Sequence, residues 1–222
     1  MIVQIGILNY LLSDDSAMVG TLLEVVYLNG SNNMNAFVDP EKTDYDIIIP
    51  ATINYNDQYY FVRKLAPQSF RGSNIRSIKI GKFVTEIGDY ALDYCKKMKT
   101  IEFDRDSSLS IVRNSFGVGS LVSTIVFPSS IKTIILDLFT NDKLLKNIYF
   151  GGDFISLCKT NLSTHSDLNI FVLPNYLNST FCSRSVTTIG EFPTFIPPSC
   201  KRCFDNGIYR LSLVNLAVLI LM

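Results

Sequence analysis

At 222 residues the chain has room for one domain or one elongated array, and a hydrophobic content of 47% excludes general disorder. Twenty Lys and Arg balance twenty Asp and Glu without a run of like charge, so no footprint for nucleic acid or acidic lipid is legible. Five cysteines (Cys95, Cys158, Cys182, Cys200 and Cys203) are odd in number and irregular in spacing, which predicts reduced or partly buried thiols rather than a disulfide framework.

The N-terminus, MIVQIGILNYLLSDD, has no basic residue ahead of its apolar stretch, which argues against a secretory leader. Residues 1–61 hold no repeat. YLLSDDSAMV reads as a hairpin around Ser13-Asp14-Asp15, and Glu24 to Leu28, ahead of Asn29-Gly30, reads as a strand. Asp46 to Ile49 precedes Pro50 as another strand, and INYNDQYYFV reads as a hairpin leading onward. Together they predict a β-rich N-terminal cap, since the end of a stacked array needs a non-repeating cover.

From Val62 to Pro174 the chain reads as five tandem units of about 23 residues. In VTEIGDYALDYCKKMKTIEF the apolar residues Ile87, Leu92, Met98, Ile101 and Phe103 are separated by steps of 5, 6, 3 and 2. Ile111, Phe116, Val122, Ile125 and Phe127 repeat those steps, as do Ile134, Phe139, Leu145, Ile148 and Phe150. A further copy runs Leu157, Leu162, Leu168, Phe171 and Leu173; upstream, Leu65, Phe70, Ile75, Ile78 and Ile80 match after one deletion. Chance would fill all these slots with apolar residues about once in 10⁸ trials before allowing for choice of register. Within a unit, Ile87, Ala91, Leu92 and Cys95 have helical spacing, whereas Ile101 and Phe103 alternate with polar residues as in a half-buried strand. The fold class expected is α/β: a right-handed solenoid of parallel strands joined by short helical turns, each unit contacting only its neighbours.

Beyond Pro174 the repeat decays. Asn175 to Ser185 reads as an insertion or loop, and VTTIG (186–190) echoes VTEIG (84–88) as the start of a fading sixth unit, whose later apolar slots fall on Thr194, Cys200, Cys203 and Asp205. Residues 175–222 thus make a degenerate repeat and C-terminal cap. The apolar run Leu211 to Met222 is short of the roughly 20 residues of a membrane span, leaving a packed cap or a membrane contact.

IGDYALDYCKKMKTIEF and LVSTIVFPSSIKTI resemble the BspA-type leucine-rich repeat, whose units read IG-x-x-AF-x-x-C-x-x-L-x-x-I-x-I-P. The resemblance covers about half the chain. The Cys slot of that pattern holds Cys95 once, then Gly119, Asp142 and His165. The resemblance implies a leucine-rich-repeat solenoid and a non-enzymatic protein-binding role, including adhesion to host or matrix proteins at the cell surface. It names no partner.

No catalytic, cofactor or metal site is expected. Cys200-x-x-Cys203 is one thiol pair without a second pair or a histidine pair, and His165 is the single histidine. Asp104 and Asp106, in the loop FDRDSSLS, read as solvated turn residues, and no G-x-G-x-x-G or Walker-type loop occurs. The expected partner face is the outward side of the strands. One column holds Lys79, Glu102, Val126, Tyr149 and Val172; the other holds Ser77, Thr100, Thr124, Asn147 and Ile170. This face suits an unidentified protein partner or self-association. Three alternatives stay open: an intracellular scaffold, a degenerate paralogue without activity, and a thiol or metal protein using Cys200 and Cys203.

Overall fold

A computed structural model of the chain describes residues 2–6, 8–12, 22–25, 45–113, 119–135, 144–159, 162, 166–193 and 203–204. The expected turn at Ser13-Asp14-Asp15, residues 26–28 of the strand expected there, Phe116, Phe139, Asp142, His165, Thr194, Cys200, Asp205 and the run 211–222 lie outside these residues.

Strands β1 (Ile2–Ile5) and β2 (Leu8–Leu12) form an antiparallel hairpin through Gly6, whose φ of 61° suits the turn. Next come β3 (Leu22–Val25), antiparallel to β2, and β4 (Tyr45–Ile49). β5 (Thr52–Tyr55) and β6 (Gln58–Leu65) make the expected second hairpin, with Asn56 and Asp57 at φ of 52° and 60° as its two-residue loop.

The array then alternates longer and two-residue strands: β7 (Ile75–Ile80), β8 (Glu86–Ile87), β9 (Thr100–Phe103), β10 (Ile111–Val112), β11 (Thr124–Phe127), β12 (Thr133–Ile134), β13 (Asn147–Phe150), β14 (Leu157–Cys158) and β15 (Asn169–Val172). Hairpin β16 (Thr180–Phe181)–β17 (Arg184–Ser185), then β18 (Thr187–Thr188) and β19 (Cys203–Phe204), complete it.

Two walls result. The short strands continue the N-terminal sheet in the order β1-β2-β3-β6-β8-β10-β12-β14. The longer strands, joined by the two-residue β18 and β19, form two four-stranded ladders, β19-β4-β7-β9 and β11-β13-β15-β18. Pairing along the array is parallel, so each unit advances one strand in each wall, as in a leucine-rich-repeat solenoid. The parallel arrangement reaches upstream of Val62, because β4 lies in register with β7 (Ile47 beside Ile78, Ile49 beside Ile80).

The core between the walls is mainly aliphatic, with Phe70, Phe127, Phe150 and Phe181 buried in it. Leu65, Phe70, Ile75, Ile78, Ile80, Ile87, Leu92, Met98, Val122, Leu145 and Ile148 are all buried. Coils press close enough to need glycine at Gly81, where a Cβ would lie 2.6 Å from the Ile49 carbonyl oxygen, and at Gly88, 2.7 Å from the Pro67 nitrogen.

The helical turns expected between strands are not found in the coils at residues 66–73 and 89–95. Residues 89–94 form consecutive turns in which Tyr90 and Tyr94 have φ of 59° and 56°, repeating Gln68 (61°) and Gly72 (73°) of the coil before. A left-handed residue every fourth position stops an α-helix from propagating. Ala91, Leu92 and Cys95 still face the core, which accounts for their helix-like spacing.

Register corrects several of the expected core slots. Val112 is buried where Ile111 was expected, and Leu157 is 42% exposed while Cys158 pairs with Ile134. In β15, Ile170 and Val172 are 1% exposed and take the slots expected of Phe171 and Leu173, and Phe171 faces outward. The cause is coil length. Ile87, Val112, Ile134 and Cys158 are successive neighbours along the short-strand wall. The coil from Ile87 to Val112 is the longest, that from Val112 to Ile134 the shortest, and that from Ile134 to Cys158 intermediate. A slip of a single position reverses which face a strand side chain takes.

Candidate functional site

The outward face of the longer strands is built by alternation: in each strand the residues beside the buried isoleucine point away from the core. Lys79 is exposed there, and Thr124, Val126, Asn147, Tyr149 and Glu102 are half-buried, as the sequence predicts. Ile170 and Val172 do not belong to it. Their places are taken by Asn169 and Phe171, which pair in register with Asn147 and Tyr149. The recurrence of Asn147-Ile148-Tyr149 as Asn169-Ile170-Phe171, one coil on, is the sequence signal that identifies these two.

One column of the face is polar. Asp46 accepts hydrogen bonds from Ser77 Oγ (2.7 Å) and from Arg76 (2.8 Å). Further along, Asn169 Nδ2 donates to Asn147 Oδ1 (3.2 Å). The second column runs from Lys79 and Glu102 to Val126, Tyr149 and Phe171, so charge gives way to apolar surface. Tyr149 stacks on Phe171 with centroids 4.8 Å apart and meets the edge of Phe192 at 5.5 Å. Phe192 follows β18, which adds to β15 in this wall. VTTIG therefore does not repeat the role of VTEIG, whose Glu86 and Ile87 lie in the opposite wall.

The ladder of this face lapses between β9 and β11, although the two strands are neighbours. This is where the coil is longest, in the loop carrying Asp104 to Leu109. A cleft of about 740 Å³ opens along the break, lined by Thr100, Glu102 and Phe103 on one side and by Thr124, Val126 and Phe127 on the other. Gly151, Phe192, Pro193, Lys99, Asp104 and Arg105 also line it. The Phe103 and Phe127 rings face each other at 6.3 Å across the seam. Burial pushes the Glu102 carboxyl above the usual carboxylate range, offset only in part by Lys79, its neighbour on β7.

The cysteines differ from expectation. Cys158 and Cys182 form a disulfide (Cα–Cα 5.5 Å) that ties β14 to hairpin β16–β17. Their separation of 24 residues is one coil, which makes them neighbours in adjacent turns. Cys95 is fully buried; its thiol donates to the Phe70 carbonyl (3.1 Å) and lies 3.5 Å from Ser73 Oγ. Burial pushes its pKa up to about 12. Cys203 lies on β19, with only its backbone described, and Cys200 is outside the described residues. Among the described residues no group of three or more His, Cys, Asp or Glu is placed to hold a metal ion, and no helix is long and apolar enough to cross a membrane.

A family model described as "BspA type Leucine rich repeat region" matches residues 35–169 in six copies. No curated protein matches the chain. Among solved structures, a leucine-rich repeat protein from Bacteroides capillosus aligns with a TM-score of 0.53 at 18% identity, over 67% of this chain and 97% of its own. A leucine-rich repeat protein of T. pallidum aligns at 0.53 and 18%, over 75% and 68%. The pneumococcal vaccine antigen PcpA aligns at 0.50 and 18%, over 79% of this chain and 47% of its own. At these identities the likeness establishes the shared fold.

Proposed function

We propose, from the premise that this chain belongs to the BspA-type leucine-rich-repeat family, that it is a non-enzymatic protein-binding module whose contact surface is the outward face of the longer strands. The carrying observation is the apolar and aromatic end of that face. Val126, Tyr149 and Phe171 form a contiguous column beside the Phe103–Phe127 cleft, on strands whose opposite sides are locked into the core. Aromatic anchors on a rigid scaffold are the usual centres of binding energy in protein interfaces.

A location outside the reducing cytosol fits this reading. A disulfide between adjacent coils persists in an oxidising environment, and one of the structural neighbours is a pneumococcal vaccine antigen. Adhesion to a host or matrix protein is the role this combination favours.

The test is saturable binding of the purified chain to an immobilised panel of matrix proteins and to intact host cells. Tyr149→Asp and Val126→Asp should keep the thermal transition near that of the parent and weaken binding at least tenfold. Equal binding by parent and both variants, or no saturable binding to any surface, would remove the proposal.

A further inference from the structure

The cleft at the β9–β11 break differs chemically from the rest of the face. Its apolar lining is Phe103, Val126, Phe192 and the nearly buried Phe127, beside the hydroxyl-bearing Thr100, Ser123, Thr124 and Ser129. Glu102 is the charged residue on β9 itself. The other charged lining residues, Lys99, Asp104 and Arg105, flank β9. Lys99 precedes β9, and Arg105 follows it beside Asp104, six positions further along the chain. Both cations are exposed to solvent, whereas Glu102, on β9 between them, is half-buried.

Glu102 is half-buried. Among the described residues no hydrogen bond offsets its lost hydration; Lys79 is the single favourable influence, and it lies on the side of β9 away from the cleft. A carboxylate held in a partly dry, aromatic-walled cleft is a poor guest for water and a good host for a cation on an apolar stem. The ammonium or guanidinium meets the carboxylate while its methylenes lie along the walls. Phenylalanine rings add attraction for a cation placed over their faces.

We propose that this cleft receives a lysine or arginine side chain from the protein partner, with Glu102 as the charge-pairing residue and Val126, Phe103 and Phe192 as walls for its stem. This rests on the binding role assigned above to the same face, and it names what the partner must present. Two carboxylates of the lining, Glu102 and Asp104, are half-buried while its two cations, Lys99 and Arg105, are exposed, which favours a basic group. An uncharged apolar side chain would leave Glu102 further desolvated, and an acidic one would be repelled.

The experiment uses the full chain and two matched small probes, n-butylguanidinium and n-pentanol, titrated against methyl-labelled protein by NMR. The guanidinium should shift the Val126 methyl resonances saturably, and pentanol should bind at least tenfold more weakly. Glu102→Gln, which keeps side-chain size and removes charge, should weaken guanidinium binding at least tenfold with the thermal transition preserved. Equal affinity for the two probes, or guanidinium binding unaffected by Glu102→Gln, would overturn the assignment. So would an absence of Val126 shifts at saturating probe. Val126→Asp in the matrix-binding assay reports separately on the face. Loss there alongside a silent probe titration refutes the cation pocket alone, whereas probe binding without any effect of Val126→Asp on matrix binding refutes the wider reading.

Discussion

Phe171 shows how much one residue's parity decides. Ile170 and Val172 flank it in the core while its ring stacks on Tyr149 outside. Ile170→Ala should therefore lower stability by about 2–5 kcal/mol through loss of buried volume. Phe171→Ala should lower it less and mainly alter the surface; chemical denaturation of the two variants compares them directly. Cys95 gives a second expectation at this scale. With its pKa near 12 the thiol stays protonated and enclosed at neutral pH. It should react with a disulfide-exchange reagent only after denaturant unfolds its coil, and prompt reaction of the native protein at Cys95 would contradict the burial.

Glu102 adds a pH dependence of definite sign. Its folded pKa is raised by burial, so the folded chain holds its proton more tightly than the unfolded chain. Stability is thus higher where Glu102 is protonated and falls as pH rises from the unfolded value through the folded one. Glu102→Gln should flatten that part of a stability–pH profile, measured by urea midpoints.

At the scale of the element, the Cys158–Cys182 bridge closes one coil. In the chain-entropy account, a loop of this length contributes roughly 3 kcal/mol. Reduction, or Cys158→Ser with Cys182→Ser, should loosen β14 and hairpin β16–β17 first, because coils stabilise only their neighbours. Hydrogen exchange should rise there while β7 and β9 stay protected; uniform loss of protection would show instead a fully cooperative array. A native peptide map should contain the two cysteines linked.

These same elements mark what the amino-acid pattern reveals. Ile78, Ile101, Ile125 and Ile148 recur once per coil in buried strands, so the periodicity and the outward position of Val126 and Tyr149 were legible. Coil length was not. A turn absorbs an added residue without changing composition, yet it moves the core slot from Ile111 to Val112 and from Leu157 to Cys158. At residues 89–95 no helical turn is found, because Ala91, Leu92 and Cys95 reach the core equally well from turns containing left-handed Tyr90 and Tyr94. The disulfide was hidden by counting cysteines along the chain; coil-length separation was the informative quantity. The cleft depends on a lapse in strand pairing, for which no single residue is a marker.

At the scale of the whole molecule, the two walls are unequal. The short-strand wall runs unbroken from β8 through β10 to β12, whereas the longer-strand wall is interrupted at the same level. Bending should thus concentrate along this line, as in a book whose spine is the unbroken wall. Opening or closing the pages would alter the separation of Phe103 from Phe127 with little strain on the spine. A guest wedged between those rings would fix the angle between the front and rear coils, so occupancy at one point would set the curvature offered to everything that lies along the face.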